Sequence, residues 1–272
     1  MRLRVRHQTA YHYDSPIAAA IQTLRLTPRS YDGMNVLRWK VRSETRQELP
    51  SYTDGYGNLT HCHSVNHPHT SAVVLVEGDV ETSNTHGVVR GTIERFPAAF
   101  YLRSTPLTLP HPAIEELAGS IPRNGSTLKW LHHLLNAVRD RVDYQVGATD
   151  VATTAAETLA AGAGVCQDHA HLFIAAARQI GIPARYVGGY LWTGEEAREY
   201  QASHAWAEAY VADLGWVGFD SANRICPTEA YIRTSIGLDY WSAAPVRGVR
   251  RGIAEETLAV EVRVTRTGAE QQ

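Results

Sequence analysis

The sequence of 272 residues carries only three cysteines, Cys62, Cys166 and Cys226. An odd and sparse set excludes a disulfide framework, and the absence of a C-x-x-C pair argues against a redox or zinc-binding thiol protein. No apolar run approaches the roughly 18 residues of a membrane span. The basic opening, residues 1–7, is followed by no apolar stretch, so it does not read as a signal peptide. An excess of one charge is missing too. There are 26 Lys and Arg against 28 Asp and Glu, for a formal net charge of −2. Without a clustered basic surface, neither nucleic acid nor a membrane is an expected partner. A reduced, cytoplasmic setting is the simplest expectation.

What is present looks like an ordinary folded chain, with 44% hydrophobic and 20% charged residues. Its length suits one large or two fused domains. The first hundred residues read as β-structure. Val5, His7, Thr9, Tyr11 and Tyr13 fall on alternate positions, and Leu37, Trp39 and Val41 alternate with Arg38, Lys40 and Arg42. Asp54-Gly-Tyr-Gly57-Asn58 reads as a turn. Ser71 to Val80 is a further apolar run, and Gly87 to Phe96 a weaker one. Five prolines between 97 and 122 mark a connector with one short helix near Ala113 to Gly119.

Helical spacing follows. Leu128, Leu131, Leu135, Val138 and Val142 share one face. Thr154-Ala-Ala-Glu157 has capping-box spacing, with Gly162 as the stop. A third helix is expected from Cys166 to Gly181, with Phe173, Ile174, Ala177 and Ile180 as its inner face. Strands return at 184–192, 204–211 and 216–220, with a charged exposed loop at 194–199. Thr257 to Thr265 alternates as a last strand, expected to return to the β-domain, and 268–272 as a frayed end.

The chemistry centres on Gly162-Ala-Gly164-Val-Cys166-Gln-Asp168. A thiol at a helix start faces unpaired N–H groups and the positive end of the helix dipole. Both favour thiolate, and the same N–H groups suit an oxyanion. His204 opens a strand 38 residues later, and Asp220 closes the next one, 16 residues further on. A hairpin through Ala212-Asp-Leu-Gly215 would return Asp220 to the side of His204. The imidazole could then take the Cys166 proton while the carboxylate orients the ring.

Residues 141–223 resemble the transglutaminase-like superfamily of papain-type thiol enzymes. The matching stretches are Asp143-Tyr144, Gly147-Ala-Thr149, Gly164-Val-Cys166-Gln-Asp168, Gly181-Ile-Pro-Ala-Arg185-Tyr-Val-Gly-Gly-Tyr190, Ser203-His204-Ala-Trp206 and Gly215-Trp216 through Asp220. Asp54-Gly-Tyr-Gly57-Asn58 with Pro68-His69, and Gly237 through Gly248, resemble bacterial members with an N-terminal β-domain. The resemblance places the catalytic triad on Cys166, His204 and Asp220. It departs from the usual form at Asp220-Ser221, where a proline commonly follows the acid.

The resemblance implies an α+β protein. An N-terminal antiparallel β-domain (1–100) is followed by a connector (101–125). A papain-like core of helices packed on an antiparallel sheet (126–250) comes next, and then a terminal strand and tail (251–272). The expected activity is acyl transfer from peptide or protein amides through a Cys166 thioester, as a cysteine peptidase or amidase, with a transglutaminase or amide ligase using an amine acceptor as the alternative. A non-catalytic scaffold with the same fold is the alternative of another class. Gln167 could donate to an oxyanion and Tyr144 could reach the site, although packing explains either equally well. His61-Cys62-His63 has no structural-zinc spacing, and no calcium loop of the D-x-D-x-D-G kind occurs, so no metal or cofactor is expected.

Overall fold

A computed structural model describes residues 1–45, 47–194 and 203–268. The expected loop at 194–199 therefore lies outside the described residues, Gly194 apart, as does the tail beyond Gly268.

The N-terminal half is two four-stranded antiparallel sheets. One contains β1 (Arg2–Ile17), β3 (Met34–Ser43) and β6 (His69–Thr82). The other contains β2 (Ala19–Thr27), β4 (Ser51–Thr53) and β5 (Leu59–Val65). Alternation explains β1. Leu3, Val5, His7 and Thr9 turn inward, whereas Arg4, Arg6 and Gln8 face outward. The run at 87–96 yields only β7 (Val88–Val89). Glycine at 87 and 91 and the polar 90–95 stretch give it too little to bury as a long strand.

The second half is a core of helices on a five-stranded sheet. The helices are α1 (Pro112–Gly119), α2 (Thr127–Arg141), α3 (Ala155–Ala161) and α4 (Cys166–Gln179). The sheet runs β13 (Tyr231–Gly237), β10 (Ala184–Leu191), β11 (Ser203–Val211), β12 (Gly215–Phe219), β7. The capping box at α3 forms as its spacing predicts, with Glu157 N–H on Thr154 Oγ1 and Thr154 N–H on Glu157 Oε2. Gly162 ends the helix at φ 66°, a conformation costly to other residues.

Helix α4 departs from the single inner face expected for it. Every residue from Gln167 to Arg178 is buried. Ala170, Ala175, Ala176 and Ala177 keep it slim, and Ala205, Ala207 and Ala209 of β11 line the sheet face it packs on. Small residues on both sides allow close approach, and the gain is the dense packing of a protein interior. At its far end, buried Arg178 donates to the carbonyls of Tyr101, Ala184 and Leu238 and to Thr108 Oγ1. A cation suits the negative end of the helix.

The chain crosses between the halves more often than a boundary at 250 implies. β7, within the first hundred residues, pairs with β12. β14 (Val246–Arg251) pairs with β2, and β15 (Glu256–Arg266) pairs with β1 from Tyr13 to Leu3. The Asp54–Asn58 turn joins the halves directly. Asp54 Oδ1 accepts from the Tyr56 and Asn58 N–H groups, which sets the turn. The Asn58 amide then donates to Ile236 O and accepts from Ile236 N–H, both at 2.8 Å, on the edge strand β13. Asn58 is buried, so removing its amide strands both Ile236 groups. Asn58→Ala is expected to lower unfolding free energy by about 2–4 kcal/mol, read from the midpoint of urea denaturation.

Candidate active site

Cys166 is the first residue of α4, preceded by Val165 in extended conformation. The turn before it is held by Asp168. Its Oδ2 accepts from Val165 N–H at 2.7 Å and from Thr149 Oγ1 at 2.6 Å. Gly164 is required there, because a Cβ at that position would lie 2.7 Å from the Asp168 Cβ. His169 adds a second staple, its ring spanning Val165 O and Val142 O. As a first-turn residue, Cys166 has no intrahelical acceptor for its backbone N–H.

His204 and Asp220 meet through the hairpin of β11 and β12. Val211 pairs with Gly215 and Ala207 with Phe219, so the outer strand ends return to one edge. His204 Nε2 lies 2.6 Å from Asp220 Oδ2, and both side chains are almost wholly buried. Nδ1 is left as the ring nitrogen for the thiol. Cys166 is near enough for its thiol to act on the imidazole. Trp206 stacks beside the histidine ring, with centroids 6.2 Å apart.

Asp220 holds its charge through several donors. Its Oδ2 also accepts from Tyr231 Oη and from Asn223 Nδ2, each at 2.7 Å, and Oδ1 accepts from Asn223 N–H. Burial pushes the carboxyl up, but His204, Tyr231 and Asn223 together hold it below the ordinary carboxylate range. Burial likewise disfavours charge on His204. The hydrogen bonds and charges of Asp220 and Cys166 override it and raise the imidazole from 6.5 to about 10. The missing proline after Asp220 is compensated locally. Asp220 and Ile225 exchange backbone hydrogen bonds, with Arg224 at φ 58°, and the turn closes.

Sequence reasoning missed Tyr231 and Asn223. Tyr231 lies on β13, whose sequence shows little alternation, and Asn223 is a turn residue three positions after the acid. Gln167 donates to Val151 O at 3.4 Å and is buried, which is a packing contact to the neighbouring loop. Tyr144 is half exposed. Burial, then the charges of Cys166 and Asp220, push its hydroxyl up to about 12, which places that hydroxyl in the field of both groups. Cys62 and Cys226 take no part in this array. His63 pairs with Gln22 and His61 with Thr27, and no three ligand-type side chains gather as a metal site among the described residues.

The profile of the transglutaminase-like superfamily core matches residues 116–221, and that of the bacterial transglutaminase-like N-terminal region matches residues 3–81. An uncharacterised protein of Mycobacterium leprae is 32% identical over 97% of this chain and 99% of its own. This chain belongs to the transglutaminase-like superfamily. A Mycobacterium tuberculosis relative, also uncharacterised, is 27% identical over 91% of this chain and 87% of its own. A crystal structure from Cytophaga hutchinsonii, described as that of a candidate cysteine protease, shares the fold. Its TM-score is 0.78 at 20% identity, covering 98% of this chain and 92% of that one. The fold is therefore that of a thiol-dependent class of enzyme, joined to the N-terminal β-region of bacterial members.

The folded imidazole keeps its proton above the ordinary value of 6.5. Its contribution to stability is therefore complete below pH 6.5 and is lost as pH rises through about 10. Asp220→Asn removes the hydrogen-bonded anion and leaves burial opposed only by the thiol. The His204 ring titration, followed by NMR, is expected near pH 10 in the wild type and several units lower in Asp220→Asn.

Proposed function

We propose that the protein is a thiol acyl-transfer enzyme that hydrolyses amide bonds of peptides or proteins, with Cys166, His204 and Asp220 as its catalytic groups. The observation that carries this reading is the buried His204–Asp220 pair, Nε2 to Oδ2 at 2.6 Å, together with Cys166 at the first position of α4. A protonated imidazole is the counterion a thiolate needs and the acid a leaving amine needs.

The chemistry runs as two half-reactions. The Cys166 thiolate attacks the amide carbonyl carbon, and the electron pair of the C=O bond moves onto oxygen. The free N–H of Cys166 at the helix start is the donor for that oxyanion. As the intermediate collapses, the C–N bond breaks and His204 Nδ1 gives its proton to the departing amine. A thioester remains. His204, now neutral, takes a proton from water as the oxygen attacks the thioester carbonyl. The acid leaves, and the thiolate–imidazolium pair is restored. Asp220 keeps its charge throughout and fixes the ring so that Nδ1 points to sulfur.

Water as acceptor gives a peptidase or amidase, whereas an amine gives a transferase. The first half-reaction is common to both, so the test reads the product. A mixed peptide library is incubated with the full chain, with and without a primary amine, and products are weighed by mass spectrometry. Hydrolysed fragments in both arms support the proposal, and amine adducts without hydrolysis replace it with transamidation.

Reactivity of the thiols tests the site itself. Burial pushes the Cys226 thiol up to about 11, which makes it a poor nucleophile at neutral pH. Chloroacetamide labelling with peptide mapping is expected to find Cys166 reacting well below pH 8 and ahead of Cys62 and Cys226. His204→Ala is expected to slow that labelling and to cut turnover by roughly 10²–10⁴-fold. Slow, equal labelling of all three thiols would overturn the enzyme reading and favour a scaffold.

A further inference from the structure

The loop from Tyr144 to Thr153 lies between α2 and α3, and its anchors converge on the turn that carries the thiol. β8 (Asp143–Tyr144) pairs with β9 (Ala163–Gly164). Gln145 N–H donates to Gly164 O at 2.8 Å, and Thr149 Oγ1 donates to Asp168 Oδ2 at 2.6 Å. Gln167 reaches Val151 O from the other side. Every one of these anchors ends within two residues of Cys166 or on its immediate strand. The loop forms a wall tied to the turn that carries the thiol.

Beside the exposed Gln145 and Asp150, the loop exposes three large apolar side chains. Tyr144 is 43% exposed, Val146 76% and Val151 47%. Val146 and Val151 belong to none of the hydrophobic clusters among the described residues. Core packing therefore does not account for them. The one acid in the loop, Asp150, turns its Oδ1 back to Ala152 N–H and Thr153 Oγ1. Tyr144, Val146 and Val151 thus leave apolar surface exposed on a loop tied to the turn that carries Cys166.

We propose that Tyr144, Val146 and Val151 form an acyl-donor subsite that takes a bulky apolar side chain within two residues of the attacked carbonyl. The proposal rests on the acyl-transfer reading above and names its substrate class, a peptide or protein segment with such a residue beside the scissile amide. The attacked carbon must come about 3–3.5 Å from sulfur. An extended chain advances about 3.3 Å per residue, so its flanking side chains pass over the wall. An apolar side chain laid there removes apolar surface on both partners from water, and a polar one gains nothing.

The test uses the full chain and three irreversible probes: chloroacetamide, and acetylated aminoacyl chloromethyl ketones bearing Leu or Ser. The readout is the ratio of the Leu-probe to the Ser-probe inactivation rate at Cys166, by intact mass and peptide mapping. A ratio of about ten or more is expected for the wild type. The double substitution Val146→Ser, Val151→Ser should bring it to within a few-fold of one. Val249→Ser, exposed on β14 in the β-domain, should leave the ratio unchanged. A wild-type ratio near one, or a ratio that survives the double substitution, overturns the subsite while chloroacetamide labelling of Cys166 still upholds the acyl-transfer reading. Failure of chloroacetamide to select Cys166 overturns that reading, and the subsite with it.

Discussion

The site depends on a helix with no wet face. Helix α4 is buried from Gln167 to Arg178, so its axis, rotation and height are fixed by packing on every side. A helix with one exposed face can rock or slide by fractions of an ångström at little cost, but an enclosed one must displace close-packed neighbours to move. The alanine rows of α4 and β11 allow this enclosure, and Arg178 anchors the far end on three carbonyls. Cys166 inherits that rigidity as the first residue. It sits where the helix still has free N–H groups and where the chain emerges from the packed interior.

The enclosure also explains why the Cys166 turn needs so many polar ties. A buried helix start leaves its donors without water, and an orphaned buried donor costs about 1–3 kcal/mol. Asp168 accepts from Val165 N–H and Thr149, and His169 engages Val165 O and Val142 O. These bonds pair the Val165 N–H and two carbonyls beside the helix start, and they tie the 144–153 loop to it. One set of contacts therefore serves the fold, positions the thiol and holds the wall beside it. Asp168, two residues past the thiol, is the node of this arrangement.

Much of this is legible in the sequence alone. The Cys166 helix, the β11–β12 hairpin and the capping box at α3 follow from short-range rules, because their partners lie within a few residues or across one tight turn. The motif order then located His204 and Asp220. What stayed hidden depends on distant pairing. β13 runs Tyr-Ile-Arg-Thr-Ser-Ile-Gly, with little alternation, because it lies between β10 and the β-domain and is covered on both faces. Tyr231 was therefore invisible as a donor to Asp220. β2 and β14 were passed over for a similar reason. Their pairing with each other spans more than two hundred residues of chain, and no local signal announces it. The burial of α4 on all sides was also underestimated, since a helical wheel shows the apolar stripe but cannot show that His171 and Arg178 are enclosed as well.

The sheet face turned away from α4 is held by charge rather than by apolar packing alone. Arg185 of β10 and Glu208 of β11 are both fully buried, with Nε to Oε2 at 2.7 Å. Arg233 of β13 grips the same carboxylate, and Glu94 takes the other side of Arg185 through two bonds. Burial pushes Glu208 up, but the two guanidiniums outweigh it and bring it to about 2. The Arg185 guanidinium also lies 3.8 Å from the Trp216 ring centre. Two cations face two anions, so no net charge is stranded, which is the condition under which a buried ionic cluster is tolerable. Such a cluster contributes directionality more than net stability. Its geometry sets how β10, β11 and β13 sit beside one another, and strand alternation carries that register outward. Two positions from Glu208 lies Trp206, against the His204 ring, and two positions from Arg233 lies Tyr231, on Asp220. The ordered His204–Asp220 pair is thus the outer edge of a framework whose centre is the Arg185–Glu208–Arg233 cluster.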